Sequence, residues 1–271
     1  MRICEVKYNC FNSKNVGFSG IDRSVLQKNT RWPFIKTVKH KNTSWMFRPG
    51  AEYCKKLYSY FSKVFKNKKK VNVYNYGCSL GYEAYSFIIG MRYIDNKNFA
   101  KFIPIIAKDY DEKIVQEAKT YSIPINYFYE ITDMKNHFGV KDNSQYFDLN
   151  PIDNVFSRYE DTYVADVKDT LKNNVRFSVA DIRQDYKNIK PHNSIVIATN
   201  FWPYMSEDDR KNLALSLYKR LGNNSYVLIG NFDAHGKLFG KSTTADVFLK
   251  TAGFKSTEIP NLFVKKNDVK K

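Results

Sequence analysis

Gly77 and Gly81 bracket Cys78, Ser79 and Leu80, and this short turn is the first place in the chain with residue types suited to chemistry. It fits G-x-S-x-G, the pattern of a nucleophile elbow, in which Ser79 would attack. It also fits a loosened nucleotide-type cofactor loop. Glycines let a backbone approach a ligand closely, and a helix that follows aims its free N–H groups at the turn. A plain strand-to-helix connection is the third reading.

The elements around the turn decide what it can do. Val71 to Tyr76 is a short β-rich apolar run. From Tyr82 the pattern changes to helical, with Tyr85, Ile88 and Ile89 on one face. A helix is expected earlier, from about Gly50 to Phe65, on the spacing of Tyr53, Leu57, Tyr60, Phe61 and Val64. Later strands are expected at Phe102–Ala107, Val175–Val179, Ser194–Thr199, Tyr226–Gly230 and Glu258–Lys265. Helices alternate with them: one carries Ile114, Val115 and Ala118, one runs from Ser206 to about Leu221, and one covers Thr243–Thr251. Ser206 with Asp209 reads as a capping box, and Gly222 as a C′ residue. Such alternation predicts an α/β fold with a doubly wound, mostly parallel sheet. Residues 121–174 are too long for a plain loop and read as a small inserted subdomain. Residues 1–66 read as an N-terminal arm and helix, with a short helix near Asp22–Lys28, and 67–271 as the main domain.

Composition sets bounds. The 271 residues are 43 % hydrophobic, enough for one sizeable core. No apolar run approaches the roughly 18 residues of a membrane span, so no membrane insertion is expected. Cys4, Cys10, Cys54 and Cys78 form no C-x-x-C pair, so no metal site is expected, and a reduced, cytoplasmic setting fits. The formal charge of +17 fits an anionic partner, or a lysine-rich coding bias.

In a doubly wound sheet ligands bind outside the carboxyl ends of the strands. Gly77–Gly81, Asp109, Asp181 and Asn200 all fall there. A nucleophile elbow would need several strands before the serine and an oxyanion loop, and neither precedes Ser79. A cofactor loop needs an acid at the end of the next strand for a ribose diol, and Asp109 stands there. No third glycine serves a pyrophosphate, so a cofactor without phosphates, such as S-adenosylmethionine (SAM), fits better.

The segments NTSWMFR, YGCSLGYEAYS, AKDYDEKIVQEAK, VRFSVADI and IVIATNFWPYM, in this order from about Asn42 to Val264, resemble the CheR-type methyltransferases. That family transfers a methyl group from SAM to glutamates of bacterial chemoreceptors. The resemblance implies a Rossmann-like class I SAM-methyltransferase fold and a small β-subdomain at the insertion. It implies that Asn42, Ser44 and Arg48 face the cofactor from before the first helix. Tyr76, Gly77, Cys78, Ser79 and Gly81 would lie against the methionine part, with Glu83 on the amino group. Asp109 would take the ribose, with the adjoining Tyr110 also at the cofactor, Asp181 and Ile182 the adenine, and Asn200 and Phe201 the sulfonium side. Arg48 and Tyr204 would be the catalytic pair, orienting an acceptor carboxylate. An acidic, receptor-like protein is the partner implied first. A small molecule stays open, and nucleic acid ranks lower. A SAM-binding sensor without catalysis is the reading from another class. The chain departs from the family at Tyr82, where a glutamate is usual, at Pro49 after the arginine, at Asp181 where an asparagine is usual, and at Thr199-Asn200-Phe201 for R-N-V. The family's helical docking domain is not recognisable in residues 1–40.

Overall fold

A computed structural model of the chain describes residues 45–151, 162–235 and 244–266. The expected short helix near Asp22–Lys28 and the candidate residues Asn42 and Ser44 lie outside them. In chain order the first elements are α1 (Ala51–Val64), β1 (Asn72–Tyr76), α2 (Tyr82–Ile94), β2 (Ile105–Asp109) and α3 (Glu112–Ala118). Then come β3 (Ser122–Asn126), α4 (Thr132–Phe138), β4 (Phe147–Pro151), β5 (Thr162–Val167) and α5 (Asp169–Lys172). The main sheet resumes with β6 (Val175–Val179), α6 (Ile182–Asp185), β7 (Ser194–Ala198), α7 (Glu207–Arg220) and β8 (Tyr226–Leu228). The last elements are α8 (Asn231–His235), α9 (Ala245–Ala252), β9 (Lys255–Ser256) and β10 (Leu262–Val264).

Among the described residues the main sheet has seven strands in the order β6-β2-β1-β7-β8-β10-β9. Pairings from β6 to β8 are parallel, and β10 runs antiparallel to both β8 and β9. Chain order reverses between β1 and β7, so the switch point of the doubly wound sheet lies beside Tyr76 and Ala198. Strand β1 is central and covered on both faces. Val73 joins the core under α1 and α2, and Tyr74 and Tyr76 join the core under α6, α7 and α9.

The inserted residues form a second, three-stranded antiparallel sheet, β3-β5-β4. It is not free-standing. Ile123, Ile125, Met134, Phe138 and Phe147 are buried in the same core as α1 and α2. The Tyr82 hydroxyl donates to Pro124 O at 2.6 Å. The residue that departs from the family pattern is therefore a buried strut between α2 and the small sheet.

Local chemistry explains where the elements start and stop. The Ser206 hydroxyl accepts from the Asp209 N–H at 3.1 Å, capping α7 as expected. Gly222 is not a left-handed C′ residue: Leu221 is already extended (φ −74°, ψ 142°) and the Gly222 N–H donates to Pro191 O at 2.6 Å. That glycine serves close approach, since a Cβ there would lie 2.5 Å from His192 Nδ1. The strand expected at Phe102–Ala107 begins at Ile105, because Pro104 has no N–H to give to a ladder and Phe99–Phe102 coils into a 3₁₀ turn. The expected Glu258–Lys265 strand is only Leu262–Val264. Lys255–Ser256 pairs back on it across a turn in which Asn261 takes φ 62°.

Candidate active site at the switch point

The turn after β1 departs from ordinary backbone three times. Gly77, Ser79 and Gly81 have φ of 65°, 49° and 95°. A Cβ on Gly77 would lie 2.8 Å from the Phe201 ring, and one on Gly81 2.7 Å from Phe177. The glycines are needed both for torsion and for space. Cys78 is buried, its N–H donates to Lys108 O at 3.1 Å, and burial pushes its thiol well above the ordinary range. The thiol is thus a packing group, not a nucleophile.

Asp109 ends β2 and is buried beside this turn. Its Oδ2 accepts from the Ser79 N–H at 3.0 Å, and Oδ1 from the Asp111 N–H at 3.2 Å. The N-cap of α3 is Asp111, whose carboxylate accepts from the Lys113 N–H at 2.9 Å. Asp109 is therefore spared capping duty. Burial raises its carboxyl above the usual range, against the pull of the backbone N–H groups.

On the other side of the switch point, Asn200 takes φ 66° and Phe201 lies over Gly77. Asn200 Oδ1 is buried and has no hydrogen-bond partner among the described residues. Glu83, in the first turn of α2, accepts from Thr199 Oγ1 at 3.4 Å through Oε1, while its buried Oε2 has no hydrogen-bond partner there. Burial holds the Glu83 carboxyl above its usual range, although Arg48 pulls it down.

Arg48 enters from the segment before α1. That segment is held at two points: the Met46 N–H donates to Glu130 Oε1 at 2.6 Å and the Phe47 N–H to Ser86 Oγ at 2.8 Å. The Phe47 ring stacks on Phe138, with centroids 4.4 Å apart. The guanidinium lies 4.7 Å from the Trp45 ring centroid and 5.5 Å from that of Phe232. Burial lowers its pKa, while Glu83, Asp233 and Tyr204 raise it.

The structure thus brings together Arg48, Glu83, Gly77–Gly81, Asp109, Asn200 and Phe201. Tyr76 and Asp181 make their side-chain contacts elsewhere. Tyr76 points into the opposite layer, where its hydroxyl donates to Asp185 Oδ2 at 2.5 Å, leaving only its backbone at the turn. The Asp181 carboxylate caps α6 and pairs with Arg183 at 2.6 Å, at the neighbouring strand end. Ile182 is buried in the core, whereas Tyr110 and Tyr204 are exposed.

Sequence reasoning missed Asp233. It is buried, in the short helix α8 that follows β8, and accepts three backbone N–H bonds: from Asn200 at 2.5 Å, Gly230 at 2.7 Å and Trp202 at 3.2 Å. The available signal was positional. An acid just past the carboxyl end of a parallel strand, as at Asp109 and Asp181, is where such a sheet keeps its site.

The family described as "CheR methyltransferase, SAM binding domain" matches residues 42–246. The chain belongs to this family. CheR-family membership makes it a SAM-dependent methyltransferase with SAM as cofactor. No curated protein matches the sequence. Solved structures similar to it include a TehB-like SAM-dependent methyltransferase from Corynebacterium glutamicum, at 13 % identity over 77 % of this chain and 87 % of that one, TM-score 0.39. Another is magnesium protoporphyrin IX methyltransferase from Synechocystis with bound SAM, at 12 % identity over 79 % and 76 %, TM-score 0.38. A third is PKMT2 from Rickettsia typhi in complex with AdoHcy, at 13 % identity and TM-score 0.36, over 65 % of this chain and 25 % of that one.

The residues present fit the cofactor. Gly77 and Gly81 give the turn a left-handed backbone, packed directly against Phe201 and Phe177, that a residue with a Cβ could not take without strain and collision. Glu83 Oε2 and Asn200 Oδ1 are buried acceptors without hydrogen-bond partners among the described residues, suited to the amino groups of SAM. Asp109 stands at the end of the neighbouring strand with a carboxylate for the ribose diol. Among the described residues no helix is long and apolar enough to cross a membrane.

Proposed function

We propose that this CheR-family enzyme methylates a protein carboxylate, a glutamate side chain on an acidic, receptor-like cytoplasmic partner. The observation that carries the reading is Arg48: a guanidinium walled by Trp45 and Phe232 beside the switch point, with the Tyr204 hydroxyl at the exposed rim. Bound SAM supplies an electrophilic methyl group. The chain's own residues then have three tasks. Arg48 orients the acceptor carboxylate and Tyr204 donates a hydrogen bond to it. The aromatic rings shield the Arg48 contact from water, which strengthens it. No residue has to remove a proton, since a glutamate with a reference pKa of about 4.3 is ionised at neutral pH. Catalysis is then chiefly positioning. The net charge of +17 supports an acidic partner.

Incubation with methyl-labelled SAM and a cell lysate tests this. Base-labile label on protein is expected, because methyl esters hydrolyse and N-methyl groups do not. Arg48→Ala should lower that labelling by about 100-fold, the order of the cost of misplacing a reacting group. Base-stable label on protein, label in RNA or in the small-molecule fraction, or no transfer at all would each overturn the carboxylate reading.

A further inference from the structure

We propose that Asp233 is a positioning residue, whose carboxylate locks the strand-end turns after β7 and β8 into the shape that presents Asn200 and Phe201 to the cofactor. Oδ2 accepts from the Asn200 and Gly230 N–H groups, and Oδ1 from the Trp202 N–H. One side chain therefore ties two loops that are separate in sequence. The bonds hold Asn200 in a left-handed backbone that L-residues seldom adopt. In that conformation the Asn200 amide lies across Gly230, where a Cβ would sit 2.3 Å from Oδ1. Phe201 then falls over Gly77. A shift of the Asp233 carboxylate is transmitted to both sides of the switch point.

The lock requires an ionised carboxylate. Both oxygens act as acceptors, so a proton on either would displace an N–H. Burial raises the Asp233 carboxyl to about 7, against its N–H partners and Arg48, which lower it. Arg48 comes from before α1, with Glu83 of α2 and Tyr204 acting on that same guanidinium. Asp246 of α9, the helix packed on α8, is tied to Lys250 at 2.8 Å. Cofactor affinity should therefore fall as pH falls through the shifted carboxyl range. The inference rests on the cofactor site and is independent of the acceptor class.

Backbone amide NMR of the full chain, with calorimetric titration of S-adenosylhomocysteine from about pH 5.5 to 8.5, tests it. The Asn200, Gly230 and Trp202 amides should titrate together with one midpoint near 7, and affinity should rise with pH through that midpoint. Asp233→Asn should abolish the shared titration and weaken binding by about 10-fold or more, the cost of a lost charged acceptor. His235 lies two residues on in the sequence, and the reference pKa of a histidine is about 6.5, so His235→Gln is the control and should leave the midpoint in place. Independent titration of the three amides, a midpoint lost in His235→Gln, or wild-type affinity and pH profile in Asp233→Asn would each overturn the proposal. Should the asparagine variant fail to fold, the wild-type amide titration still decides. A purely structural Asp233 would change melting temperature without linking affinity to that midpoint.

Discussion

Asp109→Ala weakens binding of S-adenosylhomocysteine by about 10- to 150-fold, the range of a hydrogen bond to a charged group, about 1.5–3 kcal/mol. The substitution acts twice. It removes the carboxylate from the end of β2, where the ribose diol is expected, and it frees the Ser79 N–H that holds the turn. Ser79 sits at φ 49°, a conformation that a non-glycine residue keeps only when its surroundings impose it. Asp109→Asn separates the two effects. It keeps an acceptor for one N–H but loses the charge, so its binding should fall between alanine and wild type. The fold should survive, because Asp111 and not Asp109 caps α3. Calorimetric titration of the three proteins checks the order, and equal affinity in all three would remove Asp109 from the site.

Trp202→Ala costs about 3–5 kcal/mol of stability, the range for emptying a buried large aromatic site. Trp202 is fully buried and stacked on Phe201, with centroids 6.0 Å apart. Its indole N–H donates to Ala198 O at 2.8 Å, so the ring also fixes the end of β7. Truncation leaves a cavity beneath Asn200 and Phe201 and an unpaired carbonyl. Chemical denaturation should show a lower midpoint with little change in slope. Loss below about 1 kcal/mol would mean that the turn relaxes to fill the space and that Phe201 is not held from below.

How much of this was legible in the sequence follows from the range of each interaction. The strand, glycine turn and helix over Val71–Ile89 could be read because hydrophobic period switches from strand to helix across two glycines. The Ser206 cap could be read because its bond spans only three residues. Asp109 could be read as the acid after the next strand. Asp233 carried only the positional sign of an acid past a strand end, since its bond to Asn200 spans 33 residues and leaves no local pattern. Tyr82 reads as a departure from the family, yet its hydroxyl is satisfied 42 residues on by Pro124. Gly222 carries the ordinary sign of a helix end, and only the approach of His192 and Pro191 shows why it is glycine. The aromatic walls of Arg48 come from Trp45 and Phe232, far apart in the chain and joined only when β8 lies beside β7.

The central claim is that SAM binds at the switch point between β1 and β7. Calorimetry of the full chain with SAM and with S-adenosylhomocysteine, using NAD as the control, tests it most directly. Saturable one-to-one binding of both is expected, with no heat from NAD, and loss of that binding in Gly77→Val, whose side chain would collide with Phe201. No binding of either compound at concentrations of about 1 mM, an affinity weaker than about −4 kcal/mol, would contradict it.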